Sequence, residues 1–144
     1  MKAIGVGLLF SILLTASQNS FPAQFQFRDQ TLTVPDDFEV ELIAGPPLVN
    51  RPIVADFDEL GRLYVADSSG SNDKVDKQVQ ERPHRIVRLF DADGDGRFEQ
   101  STIFADKMMF PEGILWFDGS IYCGAPPSIW KLTDTNNDGI SDQR

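Results

Sequence analysis

Apolar and polar residues alternate in short runs along most of the chain, which is the pattern of half-buried β-strands. Asp118-Gly119 separates two such runs, and an Asp-Gly pair in that position is a strong hairpin signal. The pattern therefore predicts an all-β fold built from antiparallel strands. The predicted strands are a leading strand at 38–44, then 53–57, 62–67, 86–90 and 101–105, and then 114–117, 120–124 and 129–132.

The chain contains an internal repeat. Residues 85–99 match residues 128–142 after a shift of 43 positions, and each copy is an alternating strand that runs into an acidic loop. A period of about 40–45 residues with short strands is typical of a β-propeller blade. We therefore expect a partial β-propeller of about two four-stranded antiparallel blades, the second lacking its fourth strand, plus the leading strand.

Propellers close with about 4–8 blades, so two blades predict that the others are missing. We interpret the chain as the N-terminal fragment of a larger propeller. A truncated reading frame and a piece that assembles with copies of itself are the alternatives.

The N-terminus has the layout of a secretory signal peptide. Lys2 precedes an apolar run at 3–16, and small residues follow at Ala16, Ser17 and Ala23. The run is shorter than the roughly 20 residues that span a bilayer, although an uncleaved anchor is the alternative. We expect a signal peptide at 1–23, a propeller domain at 24–144, export to the periplasm, medium or cell surface, and no membrane span after cleavage.

The charge and the cysteine content bear on the partners of the chain and on whether disulfides hold its fold. The chain has 22 acidic and 13 basic side chains, a net charge of -9 that repels phosphate backbones and argues against a nucleic-acid partner. Cys123 is the only cysteine, so no internal disulfide can form. It aligns with Val65 of the first repeat, which predicts a small core residue rather than a nucleophile.

The acidic loops predict calcium binding. Each has oxygen-bearing side chains at positions 1, 3, 5 and 9 and a glycine at position 6. Calcium takes six to eight oxygens, and alternate residues of a tight loop can turn theirs inward together. The predicted ligands are the side chains of Asp91, Asp93, Asp95 and Glu99 in the first loop, those of Asp134, Asn136, Asp138 and Asp142 in the second, and the backbone carbonyls of Arg97 and Ile140 at position 7.

The loops differ from an EF-hand. An EF-hand needs a glutamate at position 12 and flanking helices, whereas position 12 of the first loop is Thr102 and strands flank it. The nine-residue form instead resembles the calcium loops of integrin-type propellers. Plain Asp-Gly turns are the alternative, but the repeated spacing and the mutual repulsion of crowded carboxylates favour a structural cation.

Long loops gather at the end of the sheets opposite the acidic loops. They are residues 48–52, 68–85 and 106–113, and long loops on one face of a repeat array commonly bind ligands. His84, the only histidine, is either a general base or a loop histidine that precedes a strand, and the second reading is favoured. The candidate ligand-face residues are Asn50, Arg51, His84, Arg85, Lys107 and Glu112.

Several segments carry a family resemblance, namely 46–56, 61–70, 81–89, 104–113 and 126–134. Over residues 34–144 the chain resembles the N-terminal propeller of exported proteins named membrane-bound dehydrogenases or haem-binding CxxCH proteins. Their propeller is similar to quinoprotein glucose and sorbosone dehydrogenases. The resemblance implies a sugar or alcohol substrate for the complete protein and onward electron transfer.

The chain also departs from that family pattern. It has no Cys-x-x-Cys-His, so haem is not expected here, and no position can be assigned to a catalytic motif or to a quinone cofactor. Activity of this chain alone is therefore not expected. A non-catalytic propeller that binds carbohydrate or protein is the main alternative function, and a truncated inactive product is another.

Overall fold

A computed structural model describes residues 22–27 and 29–144 of the chain. Nearly all of the predicted signal peptide therefore lies outside the described residues. The chain divides into two compact units, Met1–Glu41 and Leu42–Arg144.

The first unit contains a hairpin that the sequence analysis missed. Strand β1 (Ala23–Phe27) pairs antiparallel with β2 (Gln30–Val34). Both strands are short and alternate apolar with polar residues, and β1 begins at Ala23, the last residue of the predicted signal peptide.

The predicted leading strand at 38–44 is wrong. These residues form no strand, although apolar and polar side chains alternate there. Alternation shows only that a segment could present one apolar face, whereas a strand also needs a neighbouring strand for its backbone groups. Part of the segment packs irregularly instead, and the carbonyl of Ile43 accepts a hydrogen bond from the backbone N–H of Phe98 at 3.0 Å.

The second unit holds two antiparallel sheets, so the all-β prediction is confirmed. The elements are β3 (Pro52–Phe57), β4 (Leu63–Asp67), α1 (Val75–Glu81), β5 (His84–Phe90), β6 (Gln100–Met108), β7 (Gly113–Phe117), β8 (Ser120–Ala125) and β9 (Ser128–Thr133). The strand orders are β3-β4-β5-β6 and β7-β8-β9, which makes every hydrogen-bonded pair consecutive in the chain. The second sheet has three strands, as predicted.

Helix α1 lies in the long insertion between β4 and β5 and was not predicted. It has seven residues, and Arg82 ends it in the left-handed conformation with its N–H bonded to the carbonyl of Gln78. Within the described part of the chain, no helix has the length and apolar character needed to cross a membrane.

The two sheets of the second unit pack face to face. Their shared core includes Tyr64 and Phe104 from the four-stranded sheet and Ile121 and Leu132 from the three-stranded sheet. Tyr64 stacks on Trp116 across the interface with 5.2 Å between ring centroids. Burial of this apolar surface is the main force that holds the sheets together.

Cys123 lies fully buried in the shared core. Burial raises the pKa of its thiol to about 11, so the sulfur stays protonated and unreactive at neutral pH. The prediction of a core cysteine is confirmed.

The outward faces of the two sheets differ. On the four-stranded sheet, Val65 and Leu89 pack against Val49 and Phe98, which cover that face. On the three-stranded sheet, the outward face carries exposed apolar side chains. They are Leu115, Phe117 and Ile129, the last being 83% exposed.

Candidate metal centre and ligand cavity

The first acidic loop, residues 91–99, joins β5 to β6, and its first carboxylate is held by backbone donors. The N–H of Gly94 donates to Asp91 Oδ1 at 2.6 Å, and the N–H of Gly96 donates to Asp91 Oδ2 at 2.9 Å. Gly96 has a φ of +90°, which a glycine adopts without strain. The bond from Gly96, with smaller contributions from its neighbours, lowers the pKa of Asp91, so this carboxylate is ionised and fixed in place.

Backbone donors also orient the other carboxylates of the first loop. The N–H of Ala92 donates to Glu99 Oε2 at 3.0 Å, and the N–H of Arg97 donates to Asp95 Oδ1 at 2.8 Å. Oxygens from Asp91, Asp93, Asp95 and Glu99 all lie within 4.8 Å of one another.

That spacing suits a divalent cation. Two oxygens on opposite sides of a calcium ion, each at about 2.4 Å, are about 4.8 Å apart. The structure thus brings together the four side chains predicted for the first loop, and their hard, anionic oxygens are the donors that such an ion prefers. The ligand role of the Arg97 carbonyl stays a prediction.

The second acidic loop, residues 134–142, follows β9 and copies the first only in part. The N–H of Gly139 donates to Asp134 Oδ2 at 2.7 Å, as Gly96 does to Asp91. The Thr135 hydroxyl donates to Asp142 Oδ2 at 2.7 Å, and this bond lowers the pKa of Asp142.

Its acidic side chains do not converge as those of the first loop do. The Asn136 amide donates to Asp138 Oδ2 at 3.2 Å. Among the described residues, the only acidic cluster with metal-like spacing is the one in the first loop. The Ile140 carbonyl stays a prediction, like that of Arg97.

An arginine lies against the second loop. Arg88 extends from β5 across the sheet interface, and its Nη1 is 3.7 Å from Asp134 Oδ2, with the two side chains only 14% and 11% exposed. A Cβ atom at residue 139 would overlap Arg88 Nη2, so the guanidinium packs directly on Gly139. A fixed positive charge therefore partly neutralises the second loop.

The Arg88–Asp134 pair is imperfectly satisfied. Arg88 Nε and Asp134 Oδ1 are both buried and find no hydrogen-bond partner among the described residues. The sequence analysis did not identify this arginine. Arg88 could have been identified from the alternation of β5, which places it on the same buried face as Ile86. A charged side chain at a buried position needs a partner.

The structure separates the predicted ligand-face residues. Asn50, Arg51 and Arg85 line one cavity of about 330 Å³. Lys107 lines a smaller one of about 190 Å³, beside Met109. Glu112 borders a third, of about 440 Å³.

His84 is buried at the start of β5 and lines none of these cavities. Its Nδ1 accepts the backbone N–H of Ser69 at 3.1 Å, so Nε2 carries the proton and donates to Gln78 Oε1 at 3.1 Å. Burial lowers the pKa of the imidazole, which is neutral as a result. With both nitrogens engaged and no exposed edge, His84 anchors the insertion and helix α1 rather than acting as a base.

The comparisons with known proteins give a family but no activity. No curated protein and no solved structure matches the chain. The profile of one family, described as a domain of unknown function (DUF7133), matches residues 27–144. That match covers both sheets of the second unit, both acidic loops and the cavity lined by Asn50, Arg51 and Arg85. The chain therefore belongs to the DUF7133 family.

Proposed function

We propose that this chain is an exported, calcium-binding part of a β-propeller that resembles sugar and alcohol dehydrogenases. The convergence of four carboxylates in the loop between β5 and β6 carries the calcium proposal. Crowded carboxylates repel one another, and a cation that they share removes this repulsion. The ion would have a structural role, fixing the turn between the two strands.

Calcium binding is expected to be weak and unequal between the loops. Extracellular calcium modules commonly bind with dissociation constants of about 0.1–1 mM, which suits an exported protein. The first loop is the stronger site in this proposal, because Arg88 already offsets charge beside Asp134 in the second loop.

Thermal unfolding of the purified chain tests the calcium proposal. With a dissociation constant of about 1 mM, 10 mM calcium would add about 1.4 kcal/mol of stability. We expect the melting temperature to rise by about 5 °C relative to buffer with EDTA and matched ionic strength. Magnesium should raise it less, because it demands a tighter octahedral shell.

Matched substitutions locate the effect. Asp95→Ala and Asp138→Ala change position 5 of the first and second loops. We expect Asp95→Ala to remove most of the calcium-dependent shift and Asp138→Ala to remove little. An unchanged melting temperature of the parent chain in 10 mM calcium would contradict the proposal.

We further propose that the two packed sheets are successive propeller blades. Positions related by the 43-residue repeat support this, since Ile86 and Ile129 occupy matching places on the two sheets. Ile86 is completely buried beneath the next sheet, whereas Ile129 is 83% exposed. The exposed face of the three-stranded sheet is therefore the place where a further blade would pack.

The enzymatic part of the proposal rests on the family resemblance, and a non-catalytic binding propeller is its rival. The encoding DNA beyond codon 144 distinguishes them. An open frame with further blades and a Cys-x-x-Cys-His would support electron transfer, to be tested by dye reduction with sugars and a quinone cofactor. A frame that adds blades without such a motif, and a product that binds carbohydrate without reducing dye, would favour the rival.

A further inference from the structure

We propose that the cavity beside Arg51 binds the oxyanion group of a small polyhydroxylated molecule, a carboxylate or phosphate on a sugar. The cavity lies at the end of β4 and the start of β5. Its volume, about 330 Å³, is at the lower end of the range for small-molecule sites. It is lined by Asn50, Arg51, Ser68, Ser69, Pro83 and Arg85.

A buried aspartate behind this cavity holds three of its lining residues in place. Asp67 is 1% exposed, and its Oδ1 accepts the backbone N–H groups of Asn50 at 3.0 Å and Arg51 at 2.7 Å. Its Oδ2 accepts Nε and Nη2 of Arg85 at 2.9 and 2.7 Å. Each carboxylate oxygen thus accepts two hydrogen bonds, and the guanidinium of Arg85 balances the negative charge of Asp67.

Arg51 is left as an unpaired positive charge. Among the described residues its guanidinium forms no ion pair, although the chain carries a net charge of -9. The side chain rests on Gly70, where an added Cβ would lie 2.6 Å from Arg51 Cζ. Its backbone is held as well, since the carbonyl accepts the N–H of Ser68 at 3.0 Å.

An anchored guanidinium presents a planar set of donors that matches the two oxygens of a carboxylate or phosphate. The net positive charge of the cavity, two arginines against Asp67, favours an anion over a neutral ligand. The overall acidity of the protein would repel a polyanion, so a small ligand fits better.

Neutral polar groups complete the cavity. The hydroxyl of Ser69 accepts the N–H of Ser71 at 3.1 Å, which leaves its own proton free to donate. The side-chain amide of Asn50 makes no hydrogen bond to other described residues, so it can both donate to and accept from a ligand. These groups suit the hydroxyls of a sugar ring placed next to the charged group.

Calorimetric titration of the calcium-stripped protein with three related sugars, in a buffer free of EDTA, phosphate and carboxylates, tests the proposal. Glucose, glucuronate and glucose 6-phosphate share ring hydroxyls and differ in the anionic group. We expect at least one charged sugar to bind at least tenfold more tightly than glucose, and the preferred one identifies the oxyanion. The absence of calcium separates this result from the fate of the calcium proposal.

Substitutions assign any binding to the cavity. Arg51→Gln should weaken binding of the charged sugar at least tenfold, and Arg51→Lys should restore part of it because the charge returns without the planar fork. Lys131→Gln removes the same charge from the exposed face of the three-stranded sheet and should have no effect. An unchanged melting temperature of the Arg51 variants would show that they fold.

Three results would overturn the proposal. They are the absence of binding by both charged sugars, equal binding of glucose and the charged sugars, and an affinity that survives Arg51→Gln.

Discussion

The two acidic loops have matching spacing in the sequence and different surroundings in the fold. The first loop is solvent-exposed, and its four carboxylates approach one another with no basic side chain of the described residues in ion-pair contact. The second lies at the sheet interface, where Arg88 from the preceding sheet packs on Gly139 and approaches Asp134. The same local motif is thus open to a cation in one place and partly neutralised by the protein in the other.

The difference arises from the order of the sheets. Arg88 lies on β5, on the face of the four-stranded sheet that packs on the next repeat. The matching residue of that repeat, Lys131, lies on the exposed face of the three-stranded sheet and contacts Tyr122 at 5.8 Å from its ring centroid. A basic residue of one repeat therefore supports the acidic loop of the following repeat. The first loop has no such support among the described residues.

Removing the supporting arginine should give the largest effect. We expect Arg88→Met to lower the free energy of unfolding by about 3 kcal/mol, since it leaves the nearly buried Asp134 carboxylate without its cation. Lys131→Met, at the matching exposed position, should cost less than about 0.5 kcal/mol. Urea unfolding measures both. Comparable losses in the two variants would show that the arginine does not stabilise the second loop.

The same substitution should also make the two loops more alike. Without Arg88, the negative charge of the second loop is no longer offset. Calcium should therefore raise the free energy of unfolding of Arg88→Met by more than it raises that of the parent chain. A calcium response that is unchanged in Arg88→Met would mean that the guanidinium does not weaken cation binding there.

Glycine substitutions at position 6 should give an intermediate effect. Gly96 and Gly139 have φ values of +90° and +91°, so alanine is strained in both loops. Gly96 has open space around it, and Gly96→Ala should cost about 1 kcal/mol. Gly139→Ala should cost about 2–3 kcal/mol, because the new methyl group also displaces the Arg88 guanidinium. Equal losses in urea unfolding would contradict the close packing at the second loop.

Acid titration should give the smallest effect. In the folded chain the pKa of Asp91 is lowered by the Gly96 N–H, and that of Asp142 by the Thr135 hydroxyl. Each carboxylate therefore adds stability that is present above the ordinary value of about 3.8 and is lost as the pH falls through the lowered pKa. Thr135→Val should raise the pKa of Asp142 and leave that of Asp91 unchanged, as read from carboxyl carbon chemical shifts. A shift at both residues would indicate general loosening.

Strand positions in the second unit were predictable because half-buried strands alternate apolar with polar residues and tight turns favour glycine. Predicted and observed strands there agree closely, as at 62–67 against Leu63–Asp67. The strand at 86–90 begins two residues earlier, because buried His84 pairs with Met108 across the sheet. The main strand error, at 38–44, came from a segment that alternates but pairs with no strand among the described residues.

Contacts between distant residues were not predictable in the same way. The spacing of the first acidic loop is local, so its convergence follows from the sequence. The packing of Arg88 on Gly139 joins residues of two sheets, and nothing in either segment alone indicates the other. The same holds for Asp67, which looks like the end of a strand in the sequence but organises Arg51 and Arg85 in the fold.

The consecutive pairing of all strands has a consequence for biosynthesis. Each sheet needs only neighbouring stretches of chain, so a nascent polypeptide can close the four-stranded sheet once Met108 has emerged. At that moment Tyr64, Ile86 and Phe104 have no cover, because β7–β9 have not yet emerged. During translation there would thus be an interval in which the completed four-stranded sheet exposes an apolar face. A delay between the emergence of Met108 and that of Thr133 would prolong the exposure of that surface to chaperones or to aggregation.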